Sequence, residues 1–402
     1  MNDDRSTHDD DSMNEDGRAE VHPALTGGPV YLDYNATTPV DPRVVAAMLP
    51  HLTREFGNPA SAHAYGTSPA AALARARADV AALVGARPDE IVFTASGSEA
   101  DLLALRGAVL ASGLPDPHVI TQATEHPAAL ATCNALERLH GARVTVLPVD
   151  AEGLVDPARL AAALDDATVL VSVMAANNET GALQPIAELA ALTRRHGALF
   201  HCDAAQAVGK IPVDASDVDL LTIVGHKMYA PKGIAALRVR PGVRLEPVVY
   251  GGGQERGLRA GTENVSLAVA LGAAARLASE ELAAGGPGRI GALRDDLHRR
   301  LTEALPGRIH LNGPPGARLP NTLNVSIDGV LGHELLARVP GIAASTGSAC
   351  HSGAHTPSPV LTAMGMGRDR AMGALRLSLG RWSTPGDVRF AAAALAKAAG
   401  AR

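Results

Sequence analysis

The sequence predicts an α/β protein, with a large domain on a mostly parallel sheet and a smaller α+β C-terminal domain. Three observations predict it. From about residue 67 to 240, short apolar runs alternate with Ala-rich amphipathic stretches, the pattern of strands joined by helical crossovers. Apolar residues make up 46% of the 402-residue chain but aromatics only 2%, so large cores must be built from Ala, Leu and Val. After a Gly-rich break at 251–253 the pattern changes to two long helical stretches and then isolated strands.

In chain order, the runs 91–93, 119–121, 144–149, 169–175, 198–203, 220–224 and 234–239 read as strands. Helices are expected at 71–83, 127–139, 157–164 and 186–195. Only a loop separates 220–224 from 234–239, so these two are expected to pair as a hairpin. Helices follow at about 264–284 and 287–305, split by Gly285-Gly286-Pro287-Gly288, and strands at 322–327 and 375–379. The domain reading is an acidic leader at 1–28, a large domain at 29–263 whose N-terminal segment contributes to the small one, and a linking helix with the small domain at 264–402.

Charge narrows the partners. Residues 1–28 carry eight acids and two Arg, a net of −6 that equals the charge of the whole chain. The leader has few apolar residues and no periodicity, and is expected to be disordered. The balanced remainder gives no electrostatic case for nucleic acid. Three cysteines make no disulfide framework, and a reducing cytoplasm is expected. No signal peptide or membrane span is read.

Only four lysines occur, against 32 arginines. Lys210 and Lys232 lie in turn-like contexts and Lys397 near the C-terminus, whereas Lys227 closes the apolar run 220–224 in Val224-Gly225-His226-Lys227. Asp203 closes another run 24 residues earlier. A Lys able to form a Schiff base and an Asp able to pair a pyridinium nitrogen are what pyridoxal 5′-phosphate needs from a protein. Cys350 lies in Ser345-Thr346-Gly347-Ser348-Ala349-Cys350-His351-Ser352-Gly353, a loop of small residues, and reads as a thiol nucleophile. Cys133 and Cys202 read as packing residues.

Other strand ends carry weaker signals. Thr94-Ala95-Ser96-Gly97-Ser98-Glu99 opens a helix and reads either as a phosphate cup or as an ordinary N-cap. Glu125-His126 places an imidazole where it can stack on a flat ligand or shuttle protons, or simply start a helix. In Asn177-Asn178-Glu179-Thr180-Gly181, Asn178 can meet a ligand oxygen or make a turn. Asp203, followed by Gln206, can serve a cation or cap a helix.

Taken together these residues resemble the NifS/IscS-type cysteine desulfurases of the class V pyridoxal-phosphate-dependent aminotransferase family. The blocks that carry the resemblance run from Tyr31-Leu32-Asp33-Tyr34-Asn35-Ala36-Thr37-Thr38 to Leu375-Arg376-Leu377-Ser378-Leu379-Gly380-Arg381. Between them lie Phe56-Gly57-Asn58-Pro59-Ala60-Ser61, Thr124-Glu125-His126, Asn177-Asn178-Glu179, Gly225-His226-Lys227 and Arg259-Ala260-Gly261-Thr262. The resemblance implies the type I, aspartate aminotransferase-like fold and the conversion of L-cysteine to L-alanine, with sulfur left as a persulfide on Cys350. It implies that Lys227 carries the cofactor, Asp203 pairs with its ring nitrogen and His126 lies over the ring. Gln206 and Asn178 would contact ring substituents, and Gly97, Ser98 and His226 would hold the phosphate. Thr262 would reach the phosphate of a second subunit, making a homodimer. Asn35 and Arg376 would bind the substrate carboxylate.

The resemblance also implies a sulfur-acceptor protein, either an iron–sulfur scaffold or a thiolation enzyme. There are departures. Val224 stands where the family often has Ser. The sequence ends soon after Arg381, without the extension that helps housekeeping iron–sulfur enzymes dock their scaffold, which weighs against a standard scaffold. Ile223-Val224-Gly225-His226-Lys227, Gly253-Gln254-Glu255-Arg256, Cys350-His351-Ser352 and Pro357-Ser358-Pro359-Val360-Leu361 also resemble selenocysteine lyases, so selenide release is an open alternative. A non-catalytic sulfur-transfer subunit is a second alternative, against which the four intact residues Lys227, Asp203, His126 and Cys350 argue.

Overall fold

The computed structural model of this protein describes residues 21–347 and 356–400. In chain order the strands are β1 (Val30–Tyr31), β2 (Ile91–Thr94), β3 (His118–Gln122), β4 (Arg143–Leu147), β5 (Thr168–Ser172), β6 (Leu199–Asp203), β7 (Leu220–Val224), β8 (Ala235–Val239), β9 (Ile309–Leu311), β10 (Thr322–Ile327), β11 (Ile342–Ala343) and β12 (Ala374–Ser378). Seven of them form one sheet in the order β2-β8-β7-β6-β5-β3-β4. Every neighbour from β4 to β7 is parallel. The strand β8 is antiparallel to both β7 and β2, so the expected hairpin forms with Leu220 opposite Val239.

Both faces of this sheet are covered, which is why its strands read as unbroken apolar runs. Successive side chains point to opposite faces. Val119 and Leu220 join the core under helices Gly97–Ser112 and Pro127–His140. Ile120 and Leu221 join the other core, with helices Ala64–Leu83 and Val265–Ala283. Those two helices cross closely, because a Cβ on Gly272 would lie 2.6 Å from the Ala76 Cα. The Ala-rich composition thus does packing work that aromatics do elsewhere.

The C-terminal part packs helices Gly286–Ala304 and Pro385–Ala398 on the antiparallel sheet β12-β10-β9 around Leu297, Leu301, Val325, Leu377 and Leu395. β1 pairs in parallel with β11, and Leu32 enters the same core. The chain then turns at Asp33–Asn35 toward the large sheet. Pairings β1–β11 and β9–β10 and helix Pro42–Thr53 have no counterpart in the sequence reading. β5 stops at Ser172, short of the run 169–175. Beyond it Val173 and Ala175 still donate to His201 and Asp203 carbonyls, as irregular extended backbone. Among the described residues no helix is long and apolar enough to cross a membrane.

Candidate active site

In the large sheet, β4 lies on one side of β3 and β5 on the other. Chain order reverses there, and the crevice beyond the carboxyl ends of such strands is where open α/β sheets take ligands. A cavity of about 640 Å³ occupies it. Residues just past the ends of β2, β3, β5, β6 and β7 supply Ser96 to Ser98, His126, Asn178, Asp203 and Lys227. Asn35, Gln206, His226 and Arg376 complete the sequence-predicted lining.

Lys227 is the best defined of these. Its Nζ donates to the carbonyl oxygens of Asn35 (2.7 Å) and Ala36 (2.8 Å). Burial, reinforced by Arg376, lowers its pKa to about 8 against the pull of Asp203 and Asp33. The amine therefore gives up its proton far more readily than an ordinary lysine does.

Asn35 is the hub around it. Its side-chain nitrogen donates to the Asn178 carbonyl (3.1 Å) and to Thr322 Oγ1 (2.8 Å). Its side-chain oxygen accepts from Asn321 (2.9 Å) and Lys210 (3.3 Å). Its backbone carbonyl also accepts from Gln206 Nε2 at 3.0 Å. The side-chain amide is thus saturated by the protein.

Asp203 closes β6, buried, with its Oδ1 accepting from Ala205 N–H (2.9 Å) rather than capping a helix. Burial raises its pKa, opposed by that bond, His126 and Lys227. Two more buried carboxyls stand nearby, and sequence reasoning assigned neither. Glu125 Oε1 accepts from Met174 N–H (2.6 Å) and Gln122 (3.0 Å). Glu125 Oε2 and Asp101 Oδ1 have no hydrogen-bond partner. Burial, aided by Asp203, pushes Glu125 up to about 8 and Asp101 well above the usual carboxylate range. Close buried carboxyls cannot all ionise. Of the three, Asp203 alone is drawn down by a basic neighbour that keeps its proton at neutral pH, Lys227, which favours the negative charge there.

His126 caps helix Pro127–His140, its Nδ1 accepting from Ala128 N–H at 3.2 Å. Burial, with Lys227, lowers its pKa. A neutral ring accepting at Nδ1 carries its proton on Nε2. His226 is neutral for the same reason, lowered to about 4, and meets Thr37 Oγ1 at 3.2 Å. Ser96 caps helix Gly97–Ser112 by accepting from Glu99 N–H (3.1 Å). The first-turn N–H groups of Gly97 and Ser98 have no acceptor inside the helix, so N-cap and anion cradle coexist. Val224 packs on this turn, because a Cβ at Gly97 would come within 2.6 Å of its Cγ2.

Arg376 donates to Asn178 O (3.2 Å) and Asp33 Oδ1 (2.8 Å), while its buried Nε has no partner. The residue also lines the cavity, where its charge can meet an anion. Thr262 does not reach this cavity. It lines an adjoining one of about 240 Å³ with Glu255 and Arg259. Cys350 lies outside the described residues, although Ser345 and Gly347 before it line the main cavity. Sequence reasoning also missed Asp33 and the buried end of Lys210. The turn around Lys210 is observed. Its spacing of four from Gln206 was the available signal for the contact.

Fold and site together define a protein of the class-V aminotransferase family, to which this chain belongs through residues 30–390. It is 48% identical over 368 residues, 90% of each chain, to the cysteine desulfurase IscS of Anaeromyxobacter dehalogenans. Among solved structures, a NifS-like protein superposes with a TM-score of 0.85 at 35% identity, over 92% of this chain and 98% of that one. A structure described as SspA in complex with cysteine superposes at 0.77 and 35% identity, over 88% and 99%. The resemblance read from the sequence therefore holds.

Proposed function

We propose that the protein is a pyridoxal 5′-phosphate-dependent cysteine desulfurase. It converts L-cysteine to L-alanine and leaves the sulfur as a persulfide on Cys350. One observation carries this reading: a Lys227 amine of lowered pKa and a buried Asp203 carboxylate face the same cavity from neighbouring strand ends. The names of the relatives and the cysteine-bound neighbour support it.

The residues present fit the cofactor. Asp203 is a buried anion in want of a cation, as a protonated ring nitrogen would be. Gly97, Ser98 and His226 form an anion cradle, and Thr262 of a second copy completes it. His126 would cover the ring, and Gln206 and Asn178 would meet its substituents. When bound, the cofactor withdraws electrons from the amino acid Cα.

Arg376 takes the substrate carboxylate. Asn35 serves by holding the Lys227, Gln206 and Asn178 segments together rather than as a free donor. Lys227 moves the proton at Cα, the task its lowered pKa suits. His126, with its proton on Nε2, donates into the site. The Cys350 thiolate attacks the substrate sulfur. The S–S bond forms as the Cβ–S bond breaks, and the carbon keeps the electron pair and takes a proton to become the alanine methyl. A sulfur-acceptor protein then consumes the persulfide.

A second copy also fits the surface. Leu49, Leu52, Phe56 and Tyr65 are exposed large apolar residues on adjoining segments, more than a lone soluble chain usually shows in one place. The test is to incubate purified, cofactor-loaded protein with L-cysteine or L-selenocysteine. Alanine, together with one added sulfur on the Cys350 peptide, is expected from cysteine. Selenide release with no turnover of cysteine would replace the reading with a selenocysteine lyase.

A further inference from the structure

Lys210 is a half-buried amine for which the reaction above has no use. Its Nζ donates to Gln206 Oε1 at 2.6 Å and to Asn35 Oδ1 at 3.3 Å. A lysine nitrogen in its charged form has donors and no acceptor, so Gln206 must turn its oxygen toward Lys210. The amide nitrogen is thereby directed to the other side, where it donates to the Asn35 carbonyl at 3.0 Å. Both neighbours select the same orientation of an amide that could otherwise turn over. Gln206 lines the cavity, so the choice decides whether a ligand oxygen there meets a donor or an acceptor.

Lys210 also touches the Asn35 side chain, whose carbonyl holds the Lys227 amine. Two of its contacts therefore lead into the site, and the chain at 203–210 has no helix of its own to fix these side chains. We propose that Lys210 is a positioning residue that fixes the Gln206 amide as a hydrogen-bond donor toward the hydroxyl oxygen on the cofactor's ring. Burial, then Lys227 and Arg376, lower the pKa of Lys210. Charged or neutral, its nitrogen is the donor here, because the atom facing it is Gln206 Oε1, and Gln206 Nε2 keeps a second N–H beyond the one given to Asn35.

The proposal rests on the cofactor reading above, and a double-mutant cycle separates the two. The affinity of apo-protein for pyridoxal 5′-phosphate is measured for wild type, Lys210→Met, Lys210→Gln, Gln206→Met and the Lys210→Met/Gln206→Met pair, with melting temperature alongside. Lys210→Met should weaken binding roughly tenfold in the wild-type background and less than about twofold in the Gln206→Met background. Lys210→Gln, which restores an N–H donor, should recover most of the loss. Multiplicative losses, wild-type binding by Lys210→Met, or equal damage from Lys210→Gln would overturn the proposal. Should Lys210→Met fail to fold, Lys210→Glu replaces it. That variant presents an acceptor and must turn the amide round, so binding as tight as that of Lys210→Gln would sink the idea. Wild type that binds no cofactor would instead refute the functional reading.

Discussion

Lys227 Nζ donates to the Asn35 carbonyl at 2.7 Å, so the amine at the end of β7 is held by the segment that leads out of β1. Lysine with carbonyl acceptors and a lowered pKa is ready to act as a nucleophile near neutral pH. Borohydride reduction of the cofactor-loaded protein should fix the label on the Lys227 peptide. Lys227→Ala should lose the label and all turnover. A label on Lys210 or Lys232 would show that the wrong lysine has been assigned. In apo-protein, the labelling rate of Lys227 by an amine reagent should rise with a midpoint near pH 8, well below that of exposed lysine.

Cys350→Ala should keep the cofactor and lose desulfurase activity. On the proposed reading, cofactor contacts would fall to Lys227, Asp203 and the turn at Ser96 to Ser98, none of which needs that thiol. Cys133 and Cys202 are free but buried, and burial raises both their pKa values, so neither can replace it. Alanine formation by Cys350→Ala at the wild-type rate would remove Cys350 from the mechanism.

Glu125 should make stability depend on pH. Its folded pKa is raised from 4.5 to about 8, so between those values the folded state binds the proton that the unfolded chain releases. Its contribution is therefore complete below pH 4.5 and lost as pH rises to 8. Glu125→Gln, which keeps an acceptor for Met174 N–H, should flatten that decline and gain on the order of 4 kcal/mol at pH 8. Unfolding curves at pH 5 and pH 8 decide it, and parallel changes in both proteins would contradict the assignment.

Gly347 precedes the segment that carries Cys350, with a φ of +91°. A Cβ there would lie 2.5 Å from Glu179 Oε2, which also accepts from Ser358 Oγ at 2.5 Å on the far side of the same segment. Gly347→Ala should therefore strain the backbone by about 1–3 kcal/mol and lower the rate of persulfide formation while cofactor affinity stays unchanged. Equal loss of both would mean a general folding defect.

Thr262 lines a cavity apart from Lys227 within one chain. A dimer should then be needed for tight cofactor binding, and light scattering should give twice the 41.2 kDa chain mass. Replacing Leu52 and Phe56 by Asp should shift the protein toward monomer and weaken cofactor binding together. A fully active monomer would dismiss the composite site.

What the sequence determined by itself is local and periodic. Apolar runs of strand length closed by Asp203 and Lys227 set both the sheet and the carboxyl ends where the site lies, because both faces are buried. The Ser96 cap and the hairpin 220–239 follow from spacing alone. Tertiary structure decided what depends on distant chain segments meeting. Nothing local shows that Asn35 joins Lys227, Lys210, Asn178 and Asn321 through one residue, or that Arg376 on β12 shares Asp33 with the N-terminal segment. The pairing of β1 with β11 is two residues long and has no periodicity to read. Burial also shifted the ordinary chemistry of Glu125, Asp101 and Lys227, because a pKa is set by the dielectric and charges around a group, which only the folded chain brings together.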